Sequence, residues 1–203
     1  MIPHNKRTSE RFRELQKRFG DTAVPVGELV DSFGHSGHAI FILFLCVPFI
    51  TPIPIPGLST VFGLLIAIAG FRISLDLGPW VPERLRKKEI STKVSQLIFT
   101  KGTLIMEKIE VLTKPRISFL SNNLGFHYLN GFVIISMALV LALPLPPGTN
   151  FPPALAIALM ALGHLEEDGL IIILGYLVFS LNITAITLIS IYGLEGFKKL
   201  LAV

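Results

Sequence analysis

The sequence contains little cysteine and little charge. Its 203 residues include a single cysteine, Cys46, which excludes a disulfide within the chain, and the apolar surroundings of Cys46 predict an inert packing residue. Charged residues make up 16% of the chain, whereas roughly 25% is usual for a soluble domain. The apolar residues gather in long uncharged blocks, and the mean hydropathy is +0.66. This composition is typical of an α-helical membrane protein.

Recognisable catalytic and metal-binding patterns are also lacking. We find no zinc-ligand spacing, phosphate-binding loop, nucleophile elbow or paired carboxylates of an enzyme. His35 and His38 stand three residues apart, but the glycine between them favours a loop ahead of a helix. We therefore expect no enzyme activity, no metal site and no cofactor.

Positive charge is distributed unevenly along the chain. Residues 1–31 hold six Lys or Arg and residues 72–116 hold ten, whereas only Lys198 and Lys199 follow Arg116. The positive-inside rule places the N-terminal arm and the central loop on the cytoplasmic side of a membrane that the chain crosses several times. Because these basic residues flank apolar segments, an anionic lipid surface explains the pI of 9.3 better than nucleic acid does.

Both basic regions contain an amphipathic helical pattern. In "SERFRELQKRF", Phe12, Leu15 and Phe19 share one helical face. The segment "VSQLIFTKGTLIMEKIEVL" (residues 94–112) is also amphipathic, and its charged residues are Lys101, Glu107, Lys108 and Glu110. The pattern predicts interfacial helices that lie on the membrane rather than cross it. The alternative is a solvated helix in each case, packed on a neighbour or a partner.

The uncharged stretch from Ala39 to Phe71 is interrupted by proline. Its 33 residues would form a helix of about 50 Å, too long for roughly 30 Å of hydrocarbon, yet two full spans need about 40 residues and a turn. Its centre, "PFITPIPIPGLST", carries four prolines and a glycine. We predict two short helices joined by a turn within the bilayer, a re-entrant hairpin. The alternative is two short spans in a thinned bilayer, with the turn at the far surface.

This apolar stretch with a proline-rich turn has a second copy in the chain. "VPFITPIPIPGLSTVFGLLIAIAG" (residues 47–70) is echoed by "LVLALPLPPGTNFPPALAIALMALG" (residues 139–163), and these two stretches hold nine of the fourteen prolines. Pro56-Gly57 aligns with Pro147-Gly148, and Ser59-Thr60 falls opposite Thr149-Asn150. Internal repeats with interrupted apolar segments are a sequence sign of a transporter's central site.

The two turns are the predicted substrate-binding site. Helices that begin inside a membrane present backbone N–H groups that favour anions. Gly57 and Gly148 allow close backbone approach, and polar side chains follow each of them directly. These polar residues are Ser59, Thr60, Thr149 and Asn150. They could equally cap the helices, and a cap that faces a cavity is also a ligand group. We expect the turns to face each other near the bilayer midplane.

Charged residues follow each hairpin. Glu166, Glu167 and Asp168 are candidates for proton or ion coupling near one mouth of the site, because carboxylates at membrane depth are usually functional. The alternative is a surface turn in which Asp168 caps the last helix. His164 adjoins the cluster, but one histidine beside acidic residues is weak evidence for a shared proton or metal. Arg72 occupies the matching position after the first hairpin, either as a snorkelling anchor or as an anion-binding residue.

These features predict an all-α membrane protein whose chain is divided into five segments. The uncharged run from Leu170 to Leu194 in the last segment predicts a transmembrane helix. The segments are a basic amphipathic cytoplasmic arm (1–31), a first repeat with its hairpin (32–75), a basic cytoplasmic amphipathic loop (76–116), a second repeat with its hairpin (117–168), and the C-terminal helix and tail (169–203).

Three segments resemble the ExoD (exopolysaccharide synthesis) family of bacterial membrane proteins. They are "VGELVDSFGHSGHAIFILF" leading into "PIPIPGLSTVFG", "GPWVP" at residues 78–82, and "LPLPPGTNFPPALAIALMALGHLEEDG" in the second repeat. The resemblance extends from about Val24 to Tyr192. It implies a protein of the bacterial inner membrane that is linked to exopolysaccharide production, without specifying a biochemical activity.

Two functions fit these observations best. One is a small transporter or lipid flippase that surrounds an anionic small molecule, a polyprenyl-phosphate lipid or an ion with the paired hairpins. A homodimer is expected in that case, because one chain of this size makes a thin wall. The other is a non-catalytic membrane scaffold for the exopolysaccharide assembly machinery, acting through the basic loop. Membrane lipids are expected partners in both cases, whereas nucleic acid is not.

Overall fold

Helices account for nearly all of the architecture. The computed structural model describes residues 8–19, 22–50, 57–78, 80–113, 116–117, 119–143 and 148–201. The α-helices within these residues are α1 (Thr8–Phe19), α2 (Val26–Ser32), α3 (Gly37–Ile50), α4 (Leu58–Ser74), α5 (Glu83–Arg86), α6 (Thr92–Leu112), α7 (Phe119–Asn122), α8 (Leu124–Ala142), α9 (Phe151–Leu165) and α10 (Gly169–Leu201). Two short strands, β1 (Val24–Pro25) and β2 (Glu89–Ile90), pair antiparallel. The prediction of an all-helical protein is confirmed.

Two of these helices are long and apolar enough to cross a bilayer. The candidate spans are Gly125–Ala142 in α8 and Gly169–Tyr192 in α10. The helices α3, α4 and α9 are apolar but shorter, with 14, 17 and 15 residues. At 1.5 Å per residue they measure about 21 to 26 Å, which is less than the roughly 30 Å of hydrocarbon in a bilayer.

An antiparallel crossing of α4 and α8 lies at the centre of the bundle. A Cβ atom on Gly63 would lie 2.6 Å from the Ala138 carbonyl oxygen, and one on Gly131 would lie 2.3 Å from Cβ of Ser74. Glycine therefore lets the two backbones touch at both ends of the crossing. Elsewhere both α3 and α10 pack on α9. The core between these helices includes Ile42, Ile66, Ile134, Met137, Ile157 and Met160, all fully buried.

The helix directions give the bundle two distinct ends. Phe49 and Phe62 meet with ring centroids 6.1 Å apart, so α3 ends where α4 begins. His127 and His164 meet at 5.8 Å, so α8 begins where α9 ends. We call the first end, which includes residues 57–60, 142–143 and 148–152, the turn end. We call the opposite end, which includes residues 37–38, 72–78, 119–127 and 163–170, the base.

Pro48 does not belong to the first turn, although the sequence pattern predicted that it would. Helix α3 continues through Pro48 to Ile50. A proline this close to the end of a helix removes only one of the last intrahelical hydrogen bonds, so the helix can continue for two more residues. The other prolines of this turn lie in residues 51–56, outside the described residues. In the second repeat, Pro152 and Pro153 lie in the first turn of α9, where the backbone N–H that proline lacks would have no intrahelical partner in any case.

The amphipathic helices α1 and α6 pack against each other. They run antiparallel, since the Ser9 hydroxyl bonds Glu110 at 2.6 Å and the Gln16 amide bonds Thr100 at 3.4 Å. Phe12 is buried beside Gly102, and its ring lies 5.0 Å from that of Phe33. The apolar face of α1 is therefore used in protein contacts. The prediction that α1 is an interfacial helix was wrong in this respect, and the alternative of a helix packed on a neighbour describes it.

Candidate functional site

The two turn glycines adopt the same backbone conformation. Gly57 has a φ angle of 78° and Gly148 one of 95°, both in the left-handed region where other residues are strained. Among the described residues, no atom lies within 4 Å of a Cβ built on either glycine. The described residues therefore make no close approach at these glycines, and the expected approach of the two helix ends stays a prediction. Their conformation is what requires glycine.

Two of the polar residues after these glycines, Thr60 and Asn150, are not seen to cap their own helices. The hydroxyl of Thr60 crosses to the second hairpin and donates to the Ala142 carbonyl oxygen at 3.0 Å. Asn150 precedes α9 but makes no side-chain cap hydrogen bond. Its Oδ1 is buried and has no hydrogen-bond partner among the described residues. Ser59 is also buried, within the first turn of α4. Thr149 lies beside Asn150 at the same end of the bundle.

The position of the second turn along the apolar span of α10 follows from a hydrogen bond between the two. Helix α10 runs antiparallel to α9, and the Asn182 amide donates to the Pro152 carbonyl oxygen at 3.3 Å. Asn182 stands thirteen residues after Gly169 and ten before Tyr192, the ends of the apolar span. At 1.5 Å per residue, the second turn lies about 20 Å from one end of that span and about 15 Å from the other.

Arg72 lies far from the turns. It stands near the end of α4, at the base, and its guanidinium donates to the Gly78 carbonyl oxygen at 3.0 and 2.8 Å. This contact closes the loop after α4. The structure does not bring Arg72 together with Gly57 or Gly148.

The acidic residues after α9 also lie at the base. The Oδ1 atom of Asp168 accepts a hydrogen bond from the Leu170 backbone at 3.0 Å, so Asp168 caps α10, as the alternative interpretation expected. Glu167 is exposed and adopts a φ angle of 52° in the turn between the helices. The expected position near a mouth formed by the turns was wrong, because the length of α9, about 22 Å, separates these acids from Asn150.

Glu166 belongs to a polar cluster that the sequence did not reveal. We call this set the base cluster: Thr8, Ser9, Arg11, Ser36, Glu110, Thr113 and Glu166. Ser9 donates to Glu110 from both its backbone and its hydroxyl, at 2.7 and 2.6 Å, and Arg11 donates to Ser36 at 3.2 Å. Thr8 and Thr113 hydrogen-bond the Glu166 side chain. The cluster joins the α1–α6 pair to the end of α9.

Burial, hydrogen bonds and neighbouring charges all shift the pKa of Glu166. Burial raises its pKa most strongly, the hydrogen bond from Thr8 lowers it, the Glu110 carboxylate raises it, and Thr113 and Arg11 lower it. The net effect is a raised pKa. Oε1 of Glu166 is buried without a hydrogen-bond partner among the described residues, which is compatible with a carboxyl that holds a proton.

Histidines lie close to this cluster. His38 was predicted in a loop, but it is buried in the first turn of α3. His127 contacts the Ser121 carbonyl oxygen through Nε2, so Nε2 carries a proton, and its ring meets that of His164 edge to face. Among the described residues, no group of three or more His, Cys, Asp or Glu is placed to hold a metal ion.

The fold is that of a helical protein with two helices long and apolar enough to cross a membrane. The family model described as "Exopolysaccharide synthesis, ExoD" matches residues 8–188. Protein ExoD of Rhizobium meliloti (strain 1021) is 34% identical over 178 residues, which cover 81% of this chain and 74% of that protein. An uncharacterized Synechocystis protein is 32% identical over 154 residues, which cover 75% of this chain and 72% of that protein. No solved structure matches.

The chain therefore belongs to the ExoD family. The family resemblance predicted from the sequence is confirmed, and with it the link to exopolysaccharide synthesis.

Proposed function

We propose that this protein is a small transporter or lipid flippase of exopolysaccharide synthesis, with its site at the turn end of the bundle. Its substrate would be an anionic small molecule or a polyprenyl-phosphate lipid. The protein would lie in the bacterial inner membrane, with its N-terminal arm and central loop in the cytoplasm. The hydrogen bond between Thr60 and Ala142 carries the proposal, because it joins the ends of two hairpins.

The packing of the hairpins supports a repeat. Helix α4 packs on α8, and α3 packs on α9. A rotation that superimposes the first hairpin on the second would place α3 on α8 and α4 on α9. The α3–α9 contact would then coincide with the α8–α4 contact. A two-fold relation between the hairpins predicts this pairing, and broken-helix repeats in transporters meet at the substrate site.

The depth of the second turn supports a site inside the bilayer. A turn about 15 Å short of the apolar end of α10 falls near the middle of the membrane if α10 spans it. Irregular backbone is tolerated at such depth only where protein or water covers it. A water-filled vestibule above the turns, walled by the second half of α10, satisfies that requirement.

Helix electrostatics favour an anion at this position. Helices α4 and α9 both begin at the turn end, so both direct unpaired N–H groups and positive dipole ends toward it. Ser59 and the Asn150 amide add hydrogen-bonding groups that are not used as caps. A phosphate or carboxylate would be bound without a buried Lys or Arg. A homodimer would thicken the wall that a single small chain provides.

The double substitution Ser59→Ala with Asn150→Ala tests the site. We expect it to abolish exopolysaccharide output in cells that lack the natural protein, and to abolish movement of a labelled polyprenyl phosphate across proteoliposomes that contain the pure protein. Ser136→Ala with Ser180→Ala is the matched control, because both hydroxyls bond carbonyls of their own helices. Unchanged output and unchanged lipid movement in the Ser59–Asn150 variant, at normal expression, would overturn the proposal.

A scaffold is the second candidate, and a surface cleft favours it. The cleft lies between α2 and α5, and its lining residues are Pro25, Gly27, Glu28, Asp31, Glu83, Arg86 and Lys87. Arg86 and Asp31 form an ion pair within this lining, and the lining carries both charge signs. For a scaffold, substitutions in this cleft abolish exopolysaccharide output while the Ser59–Asn150 variant remains active.

A further inference from the structure

Helix α6 has two contrasting faces. The face toward α1 buries Phe99, Thr103 and Met106. The opposite face exposes Val94, Leu97, Leu104, Ile105 and Val111, with exposed fractions between 46% and 78%. Soluble proteins rarely leave so many large apolar side chains together in water. This face therefore requires a cover.

Lysine is interspersed along the exposed face. We define the α6 stripe as Val94, Leu97, Lys101, Leu104, Ile105, Lys108 and Val111. Their spacing of three and four residues places them on one side of the helix. The acidic residues of this helix point elsewhere: Glu107 pairs with Arg13, and Glu110 accepts two hydrogen bonds from Ser9. Every member of the stripe is thus apolar or positively charged.

The stripe lies beside the base of the bundle. Helix α6 ends at Leu112, and the hydroxyl of the next residue, Thr113, bonds Glu166 between α9 and α10. Trp80 and Tyr128 are exposed near this level, on the segment after α4 and on the second turn of α8. Exposed Trp and Tyr are typical of the boundary between hydrocarbon and headgroups. The base of the bundle and α6 are therefore placed at the same membrane boundary.

We infer that the α6 stripe binds the surface of an anionic lipid bilayer. Its apolar side chains enter the headgroup region, while the ammonium groups of Lys101 and Lys108 reach the lipid phosphates. A second copy of the chain is a poorer cover. Parallel pairing of two stripes sets Lys101 against its equivalent, and antiparallel pairing sets it against Lys108, so like charges meet in both arrangements. The inference is independent of the proposed site at the turns.

Lipid-attached quenchers test this surface in the full-length protein. A fluorophore is placed on Leu104→Cys, and the protein is reconstituted in vesicles of phosphatidylcholine, alone or mixed with phosphatidylglycerol, that carry a nitroxide-labelled lipid. We expect the fluorophore to be quenched, and more strongly with phosphatidylglycerol. The same fluorophore on Lys17→Cys, on the exposed side of α1, should stay unquenched. Cys46 is buried, and the chain without an added cysteine gives the background.

Charge reversal separates the lipid from other covers. Lys101→Glu with Lys108→Glu should remove the extra quenching caused by phosphatidylglycerol, whereas Arg84→Glu with Lys87→Glu, an equal charge change outside the stripe, should retain it. Circular dichroism checks that each variant remains helical. The inference is overturned if the Leu104 fluorophore is unquenched in anionic vesicles. It is equally overturned if Leu104→Cys forms disulfide dimers in place of lipid contact, since a second copy then covers the stripe.

Discussion

The Thr60 hydroxyl and the Ala142 carbonyl oxygen are joined by a 3.0 Å hydrogen bond between the start of α4 and the end of α8. Eighty-two positions separate the two residues, and the bond holds the two hairpins together at the turn end. We expect Thr60→Val to lower the free energy of unfolding by about 1 kcal/mol, because an interhelical bond is lost without a change in side-chain shape. Denaturant titration of the purified protein measures this loss.

A threonine that bonds only its own helix is the control for this substitution. Thr184 donates to the Ser180 carbonyl oxygen within α10. Thr184→Val should leave the free energy of unfolding within about 0.5 kcal/mol of the parent. Equal losses in the two variants would contradict a link between the hairpins.

Gly131 should tolerate no side chain. A Cβ atom there would meet Ser74 Cβ at 2.3 Å and the Gly70 carbonyl oxygen at 2.9 Å, so α4 and α8 would have to separate. Overpacking of this kind costs about 1 to 3 kcal/mol, and we expect Gly131→Ala to lower the melting temperature. Gly78→Ala adds the same methyl group where nothing described lies within 4 Å, and it should leave the melting temperature unchanged. Equal melting temperatures for both variants would refute the tight crossing.

Glu166 should make the stability of the protein depend on pH. Because its pKa is raised in the folded state, mainly by burial, its contribution to stability is complete below the unfolded pKa and is lost as pH rises through the folded pKa. Glu166→Gln keeps the shape and cannot ionise. We expect this variant to match the parent near about pH 4 and to melt at a higher temperature near about pH 8.

The neighbouring Glu167 supplies the control for that comparison. It is exposed, and Glu167→Gln should retain the pH dependence of the parent. If Glu166→Gln follows the same pH profile as the parent, the base cluster does not hold a proton.

The central loop should be accessible only from the cytoplasm. Lys88 is exposed in this basic region, between α5 and β2. We expect a cysteine at Lys88 to react with a membrane-impermeant reagent only after the cells are opened, because ten Lys or Arg lie within residues 72–116. Reaction in intact cells would invert the proposed topology.

The apolar helices could be predicted from the sequence because each depends on nearby residues. The uncharged stretch from Ala39 to Phe71 coincides with α3 and α4, and the run that begins at Leu170 coincides with most of α10. Asp168 as a helix cap is also a local feature, since its partner Leu170 is two positions away. Such features need only length, periodicity and short-range hydrogen bonding.

The base cluster could not be predicted in this way. Ser9 and Glu110 are 101 positions apart, and each belongs to a helix whose charges look like an ordinary solvated face. The same holds for α1: Phe12 and Leu15 form an apolar stripe that suits a membrane or a neighbouring helix equally well. Only the antiparallel pairing with α6 decides between them. A faint signal was the pair Ser9 and Arg11, polar residues placed next to the apolar face.

Both short hairpins point the same way, and this constrains any transport cycle. Helices α4 and α9 each run from the turn end to the base. The two-fold axis of the proposed repeat would therefore lie along the bundle and would not exchange its two ends. Transporters with inverted repeats reach their two open states by swapping the conformations of equivalent halves. Two hairpins that point the same way could not use such an exchange. If the protein is a transporter, different segments would have to form its inward-open and outward-open states. The two ends of the bundle would then not be equivalent.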